Sequence, residues 1–175
     1  MEKKSVSIKP TKKKEYSIEK KDEYNVDDYI AIINHFNEKL FEFMEELIKI
    51  CKEHKWRKEA DDIAVYNEFI LLGVKANKLI ALEQYLRKVY PLYNFIKMRK
   101  EDILLNHDYS DMVKNNSEGI SKIMNVKKLW LDSGEDNKEY IFGVLEYLCY
   151  CCEHYEEVGL TTDYVKRPTG IIPIK

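Results

Sequence analysis

Apolar residues recur at three- and four-residue steps along most of this chain, which is the spacing of one face of an α-helix. The first such stripe predicts a long helix that Asp27 or Asp28 caps and that ends near Glu53. The stripe consists of Tyr29, Ile33, Phe36, Leu40, Met44, Leu47 and Cys51. The body of the chain shows no alternating apolar and polar pattern of the kind that strands require. The sequence therefore predicts an all-α fold.

The same spacing predicts two helices in the middle of the chain. The second helix covers residues 57–75, and its predicted buried side consists of Ile63, Tyr66, Ile70 and Val74. The third runs from Leu79 to about Arg99 and breaks or kinks at Pro91, because proline lacks an N–H and clashes with the preceding turn.

Two further helices are predicted in the last third of the chain, after a connector over residues 101–116 with a brief helical turn at Ile103–Leu105. The fourth helix begins at Ser117 and continues through Trp130. The last is capped by Asp136 and ends at Gly159, a residue type that favours helix C-termini. Its seam is Ile141, Leu145, Leu148, Cys152 and Tyr155. Together these segments predict one domain, a bundle of five or six helices over residues 26–158.

Charge is divided unevenly between the start of the chain and the rest. Residues 1–14 hold six lysines and one acid, a net charge of +5, whereas the other 161 residues hold 23 basic and 30 acidic side chains, a net charge of −7. Residues 1–25 contain too few apolar side chains to offset the entropy of ordering them. We therefore expect a flexible basic arm over residues 1–25 and, after the bundle, an extended tail over residues 159–175.

The arm has three interpretations. It can neutralise nucleic-acid phosphates, dock on an acidic protein surface such as another copy's body, or serve only as a solubilising tail. No arginine precedes Arg57, so the arm offers point charges rather than bidentate contacts. The candidate contact residues are Lys3, Lys4, Lys9, Lys12, Lys13 and Lys14.

Two further features suit protein contacts. The tail interleaves Ile171, Ile172 and Ile174 with Pro173, which suits docking as an extended peptide. Thirteen tyrosines are also unusually many, and their apolar rings with polar tips suit either an interface or a core with hydrated edges. Seven of them flank Pro91 or lie on the last helix: Tyr85, Tyr90, Tyr93, Tyr140, Tyr147, Tyr150 and Tyr155.

The pattern Cys-x-x-His occurs twice on predicted helices, as Cys51 with His54 and as Cys151 with His154. Residues three apart share a helical face, so two such pairs together would supply a Cys2His2 zinc site. The favoured interpretation is structural, because structural zinc sites usually lie on tight loops and buried cysteine is common. We therefore expect no metal and no cofactor, and four free thiols.

No pattern in the sequence indicates catalysis. The chain has no phosphate-binding glycine loop, nucleophile elbow, His-Glu-x-x-His or dinucleotide fingerprint. No histidine has a glutamate three residues before it, as di-iron bundles require. The chain also lacks a long apolar run and a secretory signal, so we expect no membrane span and an intracellular location.

Several segments resemble a group of small all-helical proteins from large nucleocytoplasmic DNA viruses. The resemblance covers about residues 28–157 and includes a proline-centred segment, Val89–Tyr93. The other similar segments are Phe36–Leu47, Arg99–Asn106, Lys127–Trp130 and Asn137–Ile141. The resemblance implies a viral, non-enzymatic protein of the host cytoplasm or the virion, and it transfers no functional residue.

These observations favour a non-catalytic protein-interaction or virion-associated structural component. It would dock on a protein partner or on itself through its terminal segments and a tyrosine-rich helical surface. The alternative is a nucleic-acid-associated accessory protein that uses the lysine arm.

Overall fold

The structure, a computed structural model, describes residues 25–108 and 127–161. Helix α1 spans Val26–Glu53, α2 spans Arg57–Ala76 and α3 spans Ile80–Lys88. A 3-10 turn at Tyr90–Leu92 leads into α4, Tyr93–Lys97, and α5, Glu101–Asn106. Residues 127–132 form α6, and α7 spans Glu135–Thr161. The described residues contain no strand, and the predicted all-α fold is confirmed.

Helix α1 begins one turn before its apolar stripe, at a capping box. The Asn25 side chain accepts a 3.0 Å hydrogen bond from the Asp28 N–H, and the Asp28 carboxylate accepts one of 3.0 Å from the Asn25 N–H. Two otherwise unpaired backbone donors are thereby satisfied. The prediction that Asp27 or Asp28 is the N-cap is wrong. Both lie in the first turn, where their charge complements the helix dipole.

Helix α1 ends in a Schellman motif that turns the chain back along it. Lys55 has a φ of 63°. The Trp56 N–H donates to the Cys51 carbonyl at 2.8 Å, and the Lys55 N–H donates to the Lys52 carbonyl at 3.1 Å. Helix α2 then packs mainly along α1. Just after the end of α2, the Lys78 carbonyl accepts a 2.8 Å hydrogen bond from the Asn37 side chain of α1.

Helices α1 and α7 are antiparallel, as three ring contacts along their length show. The Tyr29 and Tyr155 rings lie 5.1 Å apart, the His35 and Tyr147 rings 5.6 Å apart, and the Phe43 and Tyr140 rings 6.4 Å apart. Residue numbers rise on α1 as they fall on α7. The start of α1 therefore lies at the same end of the bundle as the end of α7.

The core forms where α3 and α4 meet α1 and α7. Tyr85 of α3 packs edge-on against Phe36 at 5.5 Å and donates a 2.9 Å hydrogen bond to the Leu145 carbonyl. The large, fully buried side chains of this core include Phe36, Ile33, Leu82, Ile96, Leu148 and Val158. Burying such a side chain stabilises the fold by about 1.5–3 kcal/mol.

The predicted interruption at Pro91 is confirmed, because the chain leaves α-helical geometry between Lys88 and Tyr93. A second Schellman motif ends α4. Arg99 has a φ of 55°, and the Lys100 N–H donates to the Phe95 carbonyl at 2.9 Å. The Arg99 guanidinium then spans to α7, where it bonds Glu139 and Glu146, each at 2.8 Å at the nearest approach.

The predicted end of the last helix at Gly159 is wrong, because α7 continues to Thr161. A helical glycine costs about 1 kcal/mol relative to alanine, which an otherwise favourable helix tolerates. The helical domain therefore extends beyond residue 158, into the first residues of the predicted tail. The predicted arm up to residue 24, the start of the fourth helix at Ser117 and the tail from residue 162 lie outside the described residues.

None of the described helices combines the length with the apolar character needed to cross a bilayer.

A candidate protein-interaction surface on helix α2

Helix α2 carries apolar side chains on two opposite faces. Its inner face packs against α1 and buries Ala60 and Val74. Its outer face carries Val65, Phe69 and Leu72, which are four and three residues apart and so lie in one stripe. Because α2 packs mainly on α1 and less on α3, the outer stripe faces away from the described core.

The outer face of α2 is the largest group of exposed apolar side chains along one described helix. Val65 is 53% exposed, Tyr66 51%, Phe69 67% and Leu72 62%. Scattered exposed apolar residues are normal, but a contiguous group on one face is typical of a contact surface. We call Val65, Tyr66, Phe69 and Leu72 the α2 surface.

Charged residues border the α2 surface along one flank. Asp61, Glu68 and Lys75 are seven residues apart, or two helical turns, so they lie in one row beside the apolar stripe. All three are exposed. Among the described residues, neither Asp61 nor Lys75 forms an ion pair. Along this row the charge is therefore negative at Asp61 and Glu68 and positive at Lys75.

The prediction that Tyr66 lies on the buried side of α2 is wrong, since half of it is exposed. Ile63 and Ile70 are half-buried and Val74 is buried, as expected of an inner face. The sequence did contain a signal for the outer face. Val65, Phe69 and Leu72 form a second helical stripe that one packed neighbour cannot cover.

The seven tyrosines around Pro91 and on the last helix do not form an exposed surface. Tyr85 and Tyr155 are buried. The other five are half-buried: Tyr90, Tyr93, Tyr140, Tyr147 and Tyr150. Four of these five, Tyr90, Tyr93, Tyr140 and Tyr147, pack against the buried core, which favours the interpretation of the tyrosines as core residues over that of an interface.

The structure does not bring the two Cys-x-x-His pairs together. Cys151 lies one turn before Tyr155 and hence near Tyr29, whereas Cys51 lies about 33 Å further along α1 at 1.5 Å per residue. His54 Nδ1 donates a 2.9 Å hydrogen bond to the Ile50 carbonyl, and its ring stacks on Trp56. In the described residues, no group of three or more His, Cys, Asp or Glu side chains is placed to hold a metal ion.

All four cysteines are buried, unpaired thiols. Burial raises the pKa of Cys51 to about 11, and those of Cys149 and Cys151 to about 12. Desolvation likewise raises the pKa of Cys152. Reactive cysteines need a lowered pKa and access to solvent. The thiols of these residues therefore serve packing in the described core.

A groove of about 360 Å³ lies between α5 and the start of α7. Its two cations are each held between carboxylates: Arg99 by Glu139 and Glu146, and Lys138 by Glu101 at 2.9 Å and Glu135 at 3.3 Å. The same contacts raise the pKa of Arg99 and of Lys138. These charges fasten α5 and the α4–α5 turn to α7.

The lysines and isoleucines singled out in the terminal segments lie outside the described residues. They are Lys3, Lys4, Lys9, Lys12, Lys13 and Lys14 in the arm, and Ile171, Ile172 and Ile174 in the tail. Comparison with protein-family models, curated proteins and solved structures finds no significant match for this chain.

Proposed function

We propose that this protein is a non-catalytic interaction component that binds another protein through the α2 surface. The single observation that carries the proposal is the exposure of four adjacent large apolar side chains on one helical face. Covering each of them recovers roughly half of the 1.5–3 kcal/mol that full burial gives. A partner helix or loop that packs on this face would gain that stabilisation.

The terminal segments extend this proposal. The isoleucine-rich end of the tail and the basic arm are additional contact segments, as their sequences indicate. The resemblance to proteins of large DNA viruses supports a role within a virion or an infected cell.

Site-specific photo-crosslinking tests the proposal in cells that express the full chain. Phe69 is replaced by p-benzoylphenylalanine, and Leu131 is replaced in the same way as a control, because Leu131 is 61% exposed but lies on α6. We expect a defined protein adduct, identified by mass spectrometry, from position 69 and little from position 131. Equal or absent crosslinking at the two positions would contradict the proposal.

A second candidate function is nucleic-acid association through the lysine arm. It is favoured by the net charge of +5 on residues 1–14. Lysine contacts to phosphates release counterions, so binding should weaken steeply as salt rises and disappear when residues 1–14 are deleted. Fluorescence anisotropy with labelled duplex and single-stranded DNA measures both effects, and an absence of binding at low salt would exclude this function.

A further inference from the structure

We propose that the α2 surface binds a second copy of this chain, through an antiparallel pairing of two α2 helices about a two-fold axis. This inference rests on the proposed function of the α2 surface and names its partner. A two-fold interface needs a patch that is complementary to itself. Three properties of α2 meet that requirement: the spacing of its apolar stripe, the order of its flanking charges and the placement of its largest ring.

The apolar stripe is symmetric about its own centre. Val65 and Leu72 stand at equal distances from the point between Glu68 and Phe69. When two α2 helices pair antiparallel about that point, Val65 of each copy meets Leu72 of the other. Phe69, the most exposed large side chain of the α2 surface, then lies beside the axis, where the two rings cover one another.

The flanking charges select the antiparallel direction. In an antiparallel pair, residues on the same flank of the two helices face one another. Asp61 of each copy therefore meets Lys75 of the other, which gives two opposite-charge contacts per pair. In a parallel pair the same flanks lie on opposite sides of the interface, so Asp61 and Lys75 of the two copies do not meet and both attractions are lost. The charges therefore favour the antiparallel direction because only that direction brings opposite charges together.

Glu68 works against the pairing at one point. It lies at the middle of the charged row, so the two-fold axis brings the Glu68 carboxylates of the two copies near each other. This single repulsion opposes two attractions. Only four large side chains per copy are covered, which places the interface among small, transient ones with dissociation constants in the micromolar range.

Charge reversal in the full chain, measured by sedimentation equilibrium over micromolar to millimolar concentrations, tests the pairing. Asp61→Lys and Lys75→Asp each place like charges at both contacts, and we expect each to weaken dimerisation about tenfold. The double variant exchanges the charges and should restore it. Asp61 and Lys75 lie about 21 Å apart along one helix, so no contact within a copy can explain that rescue. Circular dichroism confirms that every variant is folded.

The outcomes separate this inference from the proposed function. Dimerisation with rescue in the double variant supports the pairing. A strictly monomeric chain, or a dimer that is indifferent to the charge variants, overturns it. If that chain still gives an adduct with a different protein at position 69, the proposed function stands alone. If position 69 crosslinks only to residues 109–126 or 162–175 of its own chain, both proposals are overturned.

Discussion

The hydroxyl of Tyr29 donates a 2.9 Å hydrogen bond to the hydroxyl of Tyr155, and both side chains are buried. Burial raises the pKa of each phenol, so both stay protonated at ordinary pH. The bond joins the first turn of α1 to the last turns of α7. It therefore fixes the relative alignment of the two longest described helices.

The first prediction is that Tyr29→Phe and Tyr155→Phe are strongly non-additive. Each single variant leaves one buried hydroxyl without its partner, which should lower the free energy of unfolding by about 1–2 kcal/mol. The double variant removes both hydroxyls and should cost little more than either single variant. Urea unfolding of the four proteins measures the cycle, and additive losses would show that the two hydroxyls are independent.

The second prediction concerns the left-handed residues that end α1 and α4. Lys55 is exposed and its positive φ strains a side chain, so Lys55→Gly should raise the free energy of unfolding by about 1 kcal/mol. Thermal or urea unfolding measures the gain. A loss of stability on this substitution would contradict the Schellman geometry.

Arg99 provides the matched contrast, because its guanidinium holds Glu139, Glu146 and the Ile96 carbonyl. Arg99→Gly loses those bonds but relieves the backbone, whereas Arg99→Ala loses the bonds and keeps the strain. We therefore expect Arg99→Ala to be less stable than Arg99→Gly by about 1 kcal/mol. Equal stability of the two variants would mean that the left-handed conformation costs nothing here.

The third prediction is a pH dependence that arises from His35, whose ring nitrogen hydrogen-bonds the Tyr147 hydroxyl. Desolvation lowers the pKa of His35 below its ordinary 6.5, although Glu38 and Glu42 oppose this and Lys39 adds to it. The unfolded chain then binds a proton more readily, so this contribution to stability is complete above pH 6.5 and declines as the pH falls below it.

Replacing His35 by glutamine, which keeps a hydrogen-bonding side chain, should flatten the stability profile below pH 6.5. The measurement is the urea midpoint of both proteins between pH 4.5 and 8. An unchanged slope in the variant would assign the acid sensitivity to other groups.

The fourth prediction concerns the four buried thiols. At pH 8, thiols with a pKa near 11 or 12 hold at least about 100-fold less thiolate than thiols at the ordinary value of 9.0, and burial limits reagent access as well. A thiol reagent should therefore modify none of the four in the native protein and all four in urea. Rapid reaction of one thiol in the native state would show that this thiol is not buried as the structure describes.

Local sequence signals predicted the described helices well, since apolar spacing and Pro91 each act over a few residues. The end of α7 was predicted wrongly. Gly159 by itself indicates a helix terminus, whereas the tertiary packing of neighbours such as Val158 sustains the helix past it. The N-cap of α1 was missed by two or three residues, since Asn25 and Asp28 act as a pair.

The candidate surface could not be predicted from spacing alone. A helix with two apolar faces, such as α2, indicates two neighbours but does not say which of them belong to the same chain. Only the packing of α2 on α1 showed that Phe69 points outward. The tyrosines misled for a related reason, because composition gave their number but not the antiparallel alignment that turns Tyr29 and Tyr155 toward each other.

The antiparallel alignment of α1 and α7 has a consequence for valency. Asn25 and Thr161 border the terminal segments, and both lie at the end of the bundle toward which α2 also runs. In the proposed pair the two α2 helices point in opposite directions, so the points at which the lysine-rich and isoleucine-rich segments attach lie, one of each, at either end of the assembly. A ligand with repeated binding sites that is held by the segments of one copy would meet the segments of the other copy at a high effective concentration. Weak individual contacts would then combine into avidity.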